Sequence, residues 1–320
     1  GKELKNVKGI TWKDSHGKIY VNDDETVIEN LDKMPFQASN LLSKKYFDII
    51  AKKNPIAFMI TSRGCPFGCK FCSAKFYSKK YRQRNPENVV SEIKYLVEMG
   101  FKNIRFGDDT FTVNKKRVIE ICDIMKKEKI DIDWRCLSRV DTVDKEMIVK
   151  MKNSGCYQIH FGVESGSQKM LDIMEKGVKI EQIKQSFKMC DENGVETISS
   201  FVFGYPGETK ESMEMSVEFA NELKPDFVSF NVFTPLPGSD TFKNSQVKKW
   251  EEYDFTSTSF CDIKSSDIFN TVKKAYRDYY LNSSYFIRRV RKTKEPTRIL
   301  KQNIKFWTKR SGVLWDFIKV

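Results

Sequence analysis

Three cysteines within eight residues hold the densest chemistry in this sequence. They lie in Thr61-Ser-Arg-Gly64-Cys65-Pro66-Phe67-Gly68-Cys69-Lys70-Phe71-Cys72 with the spacing C-x-x-x-C-x-x-C. A loop this tight can turn three sulfurs toward one centre. Gly64 and Gly68 permit the sharp backbone path, and Pro66 blocks a helix through the first half. Thiolates suit zinc or an iron–sulfur cluster. A zinc site or a fully ligated cluster calls for a fourth protein ligand, yet Cys122, Cys136, Cys156, Cys190 and Cys261 are scattered singly. Three ligands on a four-iron cluster leave one iron open to a substrate or cofactor.

Other polar groups fall at the ends of apolar runs. In Gly107-Asp108-Asp109-Thr110-Phe111 two adjacent carboxylates repel each other unless a cation or ammonium group compensates; the alternative is a solvated loop or helix cap. Ser138-Arg139 places a guanidinium fork suited to a carboxylate, either a cofactor's or that of Asp141 or Asp144. In Gln158-Ile-His160-Phe-Gly-Val-Glu164, alternation puts Gln158, His160, Gly162 and Glu164 on one face of a strand. A polar face on a buried strand points to a lined cavity. His160 either acts on a substrate there or is a hydrogen-bonded structural histidine. Glu208 reads as an acid in the first turn of a helix.

The cysteine loop, with aromatic Phe71 just before the third cysteine, resembles the signature of radical S-adenosylmethionine enzymes. The resemblance implies that Cys65, Cys69 and Cys72 hold a [4Fe–4S] cluster whose open iron binds the amino and carboxylate groups of S-adenosylmethionine. It further implies cofactor contacts at Phe71, at Asp108 and Asp109 (where many members carry Gly-Gly-Glu), at Ser138 and Arg139, and at Glu164 in Gly162-Val-Glu-Ser-Gly166. Gly204 in Phe203-Gly-Tyr205-Pro-Gly-Glu-Thr209, and Phe233 before Thr234-Pro-Leu-Pro-Gly238-Ser, are assigned to the adenine side. His160 and Tyr205 are the candidates for acting on substrate. The resemblance covers residues from about 8 to 280 and is nearest the cobalamin-binding subgroup, which includes methyltransferases at unactivated carbon and the anaerobic cyclase of chlorophyll synthesis. Members usually carry a cobalamin-binding domain ahead of a hairpin like residues 7–22. That domain is absent here, so either the chain is trimmed or this member works without cobalamin.

The expected reaction is therefore reductive cleavage of S-adenosylmethionine and functionalisation of an unactivated carbon, by methyl transfer or cyclisation, in an apolar or lipid-like substrate. A flavodoxin- or ferredoxin-type reductant is the implied partner. A tRNA-modifying methylthiotransferase is the alternative, but it should carry a further cysteine-bearing N-terminal domain and a C-terminal β-barrel. A non-enzymatic iron–sulfur or zinc protein is the other rival.

The positioning elements follow from periodicity. Ile56-Ala-Phe-Met-Ile60 reads as a buried strand feeding the loop. Asn85-Pro86 opens a helix ended by Gly100, and strand 103–106 follows. Helices are expected near 114–128, 144–154, 179–193 and 208–223, and strands near 132–137, 157–162, 197–203 and 227–232. Gly100, Gly155 and Gly194 each close a helical pattern four residues before an Ile in a strand, the echo of a repeated unit. The fold class is α/β, a partial (β/α)6 TIM-like barrel over 55–240. An N-terminal hairpin and linker over 1–54 precedes it, and a helical extension over 241–320, basic from 285, follows.

Charge and composition narrow the setting. Of a net charge of +13, the stretch 285–320 supplies +9, through eleven Lys and Arg against Glu295 and Asp316. A tail-borne charge argues against a nucleic-acid binder, whose basic residues would spread over its body. Interleaved with Trp307, Trp315 and aliphatics, it suits an anionic membrane surface, or else packs its apolar residues on the barrel. Eight cysteines without a disulfide-like pattern suit a reducing compartment. No run approaches membrane-spanning length and no signal-peptide core opens the sequence, so the expectation is a cytoplasmic protein, if anything peripheral to the membrane.

Overall fold

A computed structural model describes residues 3–23, 27–41, 51, 53–78, 80–245, 247 and 258–292. The chain starts with an antiparallel hairpin, β1 (Thr11–Lys13) and β2 (Ile19–Val21), in which Trp12 stacks on Tyr20 with ring centroids 4.6 Å apart. Asp14 closes the turn by accepting from the backbone N–H groups of His16 and Lys18.

Strand β3 (Ile56–Met59) runs into the cysteine loop. A short antiparallel ribbon of β4 (Ser62–Arg63) and β5 (Arg82–Gln83) pinches the base of that loop, and α1 (Ala74–Tyr77) lies within it. Strand–helix units follow: α2 (Pro86–Glu98), β6 (Asn103–Phe106), α3 (Lys115–Lys127), β7 (Asp133–Ser138), α4 (Lys145–Asn153), β8 (Cys156–Glu164), α5 (Gln168–Ile173), α6 (Ile180–Glu192), β9 (Glu196–Phe203), α7 (Lys210–Leu223) and β10 (Phe227–Val232). The sheet order is β10-β9-β8-β7-β6-β3, parallel throughout, so each strand lies beside its sequence neighbour. Sequential parallel strands joined by helical crossovers curl into a barrel wall. Here the wall has six strands, as the periodicity predicts, and stays open between β3 and β10.

Local chemistry sets the boundaries. Asn114, Asp144 and Thr209 cap α3, α4 and α7 by accepting from backbone N–H groups three residues on. Gly100, Gly155 and Gly194 take positive φ of 86°, 103° and 63° where helix gives way to strand. The expected alternation in β8 holds. Ile159, Phe161 and Val163 are fully buried under the helices, while His160 and Gly162 are only half-buried on the lumen face. Burying such side chains contributes on the order of 1.5–3 kcal/mol each.

Among the described residues, the C-terminal extension holds α8 (Asp240–Lys243), α9 (Ser265–Tyr280) and α10 (Ser283–Lys292). Ile268, Val272, Ala275 and Tyr279 form the buried stripe of α9. Its tyrosines cover the free edge of β10. The Tyr280 hydroxyl accepts from Val228 N–H at 2.8 Å and donates to Val228 O at 2.9 Å, and the Tyr276 hydroxyl accepts from Phe230 N–H at 3.0 Å. Helix α10 docks at the opposite end of the barrel from the cysteine loop, where buried Arg289 pairs with Asp226 at 2.6 Å and Glu196 at 3.2 Å. The first eight residues of the basic stretch thus lie in a docked helix; the remainder, 293–320, falls outside the described residues. Among the described residues, no helix is long and apolar enough to cross a membrane.

Candidate active site

The cysteine loop sits at the C-terminal ends of the barrel strands and is fastened at both ends. Just past β3, Thr61 donates its backbone N–H to Asp108 at 2.6 Å and its hydroxyl to the other oxygen of the same carboxylate. Buried Arg117 of α3 donates to Thr61 O at 3.0 Å and to Arg84 O at 2.8 Å, bridging the loop's entry and exit. Gly64 has φ +85°, and a Cβ there would meet the Lys80 carbonyl at 2.8 Å. Farther along, Lys70 N–H donates to Met174 O at 3.1 Å, and Lys70 O accepts from the Thr241 backbone and hydroxyl. Contacts from Asp108, Arg117, Met174 and Thr241, all distant in sequence, therefore hold a loop that lacks regular structure around its cysteines.

All three cysteines are partly exposed, and each sulfur has a hydrogen-bonding neighbour. Thr110 Oγ1 lies 3.6 Å from Cys65 Sγ, Arg139 Nη1 donates to Cys69 Sγ at 3.4 Å, and Ala74 N–H donates to Cys72 Sγ at 3.4 Å. Burial pushes the Cys72 thiol up. Among the described residues, no three His, Cys, Asp or Glu side chains are grouped to hold a single metal ion. Donors at Cys69 and Cys72, and a hydroxyl beside Cys65, fit a cluster, whose anionic sulfurs take up hydrogen bonds.

The paired carboxylates part company. Asp108 is fully buried and gives both oxygens to Thr61, and burial raises its pKa. Its carboxylate thus fastens the end of the neighbouring strand from inside the wall, where the resemblance implies a cofactor contact. Asp109 lies on the rim with its carboxyl partly covered and accepts from Gly64 N–H; its pKa is raised by that partial desolvation and by the neighbouring Asp108 charge. Ser138 is likewise buried, its hydroxyl engaged with Thr112 and with Arg139 O. Arg139 takes the second of its two expected partners, pairing with Asp141 in a fork at 2.9 and 2.8 Å.

Glu164 ends β8 with φ +66°, beside a register shift in the β8–β9 ladder that re-aims the strand end. Its carboxylate pairs with Lys176 at 2.8 Å, both groups being buried. Lys176 Nζ in turn lies 5.7 Å over the Phe71 ring, within cation–π reach. Phe71 also meets Tyr205 edge-on at 6.5 Å, and Tyr205 meets Phe233 at 4.9 Å. Together with Met170 and Met174 these rings form a small apolar cluster separate from the main core. The Tyr205 hydroxyl is bonded to Thr241 at 3.0 Å, and burial raises its pKa. Gly204 admits Ile268 so closely that a Cβ would meet it at 2.9 Å. His160 points into the lumen, its Nε2 2.6 Å from Ser200 Oγ.

Thus Glu164 (through Lys176), Tyr205 and Phe233 adjoin the loop at Phe71, Asp109 lies on its rim, and His160 sits apart in the lumen with Ser200. The sequence reading missed Lys176, Arg117, Thr61 and Phe67. Lys176 stands in a Lys- and Glu-rich stretch where nothing marks it as buried. It also undervalued Glu208, which is buried, accepts from Ser212, and is pushed up to about 7 by that burial.

A family model described as the radical SAM superfamily matches residues 59–220. An uncharacterized methyltransferase of Pyrococcus horikoshii is 34% identical over 299 residues, covering 90% of this chain and 64% of the relative. The anaerobic magnesium-protoporphyrin IX monomethyl ester cyclase of Rubrivivax gelatinosus is 29% identical over 314 residues, covering 95% and 56%. The chain thus spans less than two thirds of the length of either relative. Among solved structures, the cobalamin-dependent S-adenosylmethionine radical enzyme OxsB with aqua-cobalamin bound is similar at a TM-score of 0.65 and 18% identity, over 97% of this chain and 52% of that one. The radical S-adenosylmethionine methyltransferase TsrM of Kitasatospora setae gives 0.54 at 20% identity, over 58% and 38%. Identities this low bear on the fold alone.

Proposed function

The chain belongs to the radical S-adenosylmethionine superfamily, and on that premise we propose that it cleaves S-adenosylmethionine reductively to functionalise an unactivated carbon, by methyl transfer or cyclisation. The observation that carries this reading is the three-thiol loop at the mouth of the barrel, each sulfur beside a hydrogen-bonding group. Cys65, Cys69 and Cys72 would hold the family's [4Fe–4S] cluster, which when loaded supplies the electron for cleaving the sulfonium. Asp109, exposed on the rim, is the acceptor for the cofactor's ammonium group. Glu164, held by Lys176, orients polar groups of the same cofactor. Phe71, Tyr205 and Phe233 form an apolar wall that excludes water from its adenine side.

His160 and Ser200 face the lumen, where a substrate would lie, and His160 Nε2 can hold or pass a proton there. The same face carries Phe58, Leu137 and Val202 together with Arg105, Arg135 and Asn231, so the apolar or lipid-like substrate read from the sequence would also present a polar or anionic handle. The named activities of the relatives, a methyltransferase and a cyclase, support carbon chemistry of this kind. Cobalamin, if used, would be carried by a domain outside this chain, and an acidic flavodoxin or ferredoxin would deliver the electron. The basic stretch beyond residue 292 would touch an anionic membrane; sedimentation with anionic vesicles that is unchanged on deleting 293–320 would dismiss that contact.

The test is anaerobic reconstitution with iron and sulfide, then dithionite and S-adenosylmethionine. The expected products are 5′-deoxyadenosine and methionine. Neither product from fully loaded protein would refute the reading.

A further inference from the structure

The geometry points to Arg139 as a positioning residue that sets the reduction potential of a cluster held by Cys65, Cys69 and Cys72, with Asp141 as its counterweight. The inference rests on the proposed cluster and goes beyond it. Of the hydrogen-bonding groups beside the three sulfurs, Ala74 offers a backbone amide and Thr110 a hydroxyl; only the one at Cys69 carries a charge.

The guanidinium is 5% exposed and fixed on every side. Its Nε and Nη2 fork onto Asp141, Nη2 also donates to Lys176 O at 2.6 Å, and its plane lies 3.9 Å from the centroid of the Phe67 ring inside the cysteine loop. The bond to Cys69 completes this set, so the cation cannot swing toward a cofactor carboxylate without giving up its partners. Asp109, by contrast, lies on the exposed rim, where it accepts from Gly64 N–H.

Reduction adds one electron, taken from an external one-electron donor, and so adds one negative charge to the cluster. A fixed cation within hydrogen-bonding distance of a ligand sulfur stabilises the reduced form more than the oxidised one, which raises the potential. The Asp141 carboxylate on the far side of the guanidinium offsets part of that effect. Neutralising Arg139 and neutralising Asp141 must therefore move the potential in opposite directions. A residue that merely braced the loop would not produce this pattern.

The full chain is reconstituted anaerobically without S-adenosylmethionine, and the reduced signal is followed by electron paramagnetic resonance at controlled potentials. Arg139→Gln keeps amide donors and loses the charge. At a fixed potential its reduced-to-oxidised ratio should fall about tenfold, equivalent to about 59 mV for one electron. Asp141→Asn should raise the ratio, and Arg139→Lys should lie between wild type and Arg139→Gln. Should Arg139→Gln fail to load iron, the sign of the Asp141→Asn shift decides alone. Unmoved midpoints, or shifts of the same sign in both variants, overturn the inference. So does weakened S-adenosylmethionine binding in Arg139→Gln at an unchanged midpoint, which would make Arg139 a ligand of the cofactor carboxylate. A wild-type chain that takes up no cluster defeats the functional reading and this inference together, whereas a loaded wild type with unmoved variants defeats the inference alone.

Discussion

Thr61 gives both its backbone N–H and its hydroxyl to the Asp108 carboxylate, which ties the end of β3 to the end of β6 directly below the cysteine loop. Both residues are fully buried. Asp108→Ala would strand two donors away from water, at about 1–3 kcal/mol each. Asp108→Asn keeps one oxygen acceptor and should cost less. Chemical denaturation should show that order, with iron content falling in the Ala variant because the loop loses its anchor. Wild-type stability in Asp108→Ala would contradict this account.

Glu164 and Lys176 form a buried charge pair beside the loop. Glu164→Gln leaves an ammonium group buried without its counter-charge, a loss on the order of 3–5 kcal/mol. Glu164→Gln with Lys176→Met removes both charges and should recover much of it. Asp109→Asn, on the exposed rim, should leave stability within about 0.5 kcal/mol of wild type yet lower 5′-deoxyadenosine formation sharply. Equal stability loss at Glu164 and Asp109, or cleavage unaffected by Asp109→Asn, would count against these roles.

Glu208 links the site to pH. Burial raises its carboxyl from 4.5 to about 7, so between those values the folded chain holds a proton that the unfolded chain has released. Stability from this group is complete below pH 4.5 and is lost as pH rises through about 7, by at most about 3 kcal/mol. Glu208→Gln should flatten that slope. Parallel stability–pH curves for wild type and variant would show that Glu208 titrates normally.

The tyrosines of α9 do for β10 what a further strand would do. An open strand edge invites pairing with another chain, and here Tyr276 and Tyr280 occupy its backbone groups. Tyr276→Phe and Tyr280→Phe should each cost about 1–3 kcal/mol, and together they should promote self-association. Light scattering that stays at the monomer level in the double variant would argue against edge protection.

These last contacts mark where the sequence stops being legible. The strand–helix repeat is written in local signals, namely capping Asn and Asp, helix-ending glycines and alternation in β8, and these set the barrel. Even the polar lumen face of His160 follows from a period of two. The site is less readable because its side chains are shared out by long-range geometry. Nothing local distinguishes Asp108 from Asp109, yet one turns into the wall and the other onto the rim. The choice of Arg139 between Asp141 and an outside carboxylate depends on Cys69 and Lys176, tens of residues away. Lys176, Arg117 and Arg289 read as surface charges because burial of a cation shows only once its partners are in place.

The central claim is that Cys65, Cys69 and Cys72 are the protein's ligands to one [4Fe–4S] cluster. Mössbauer spectroscopy with iron quantification on the anaerobically reconstituted chain tests it most directly. The account predicts a four-iron cluster in the wild type, and its loss when Cys65→Ala, Cys69→Ala and Cys72→Ala are combined while Cys122, Cys136, Cys156, Cys190 and Cys261 remain. A four-iron cluster retained in the triple variant would contradict it.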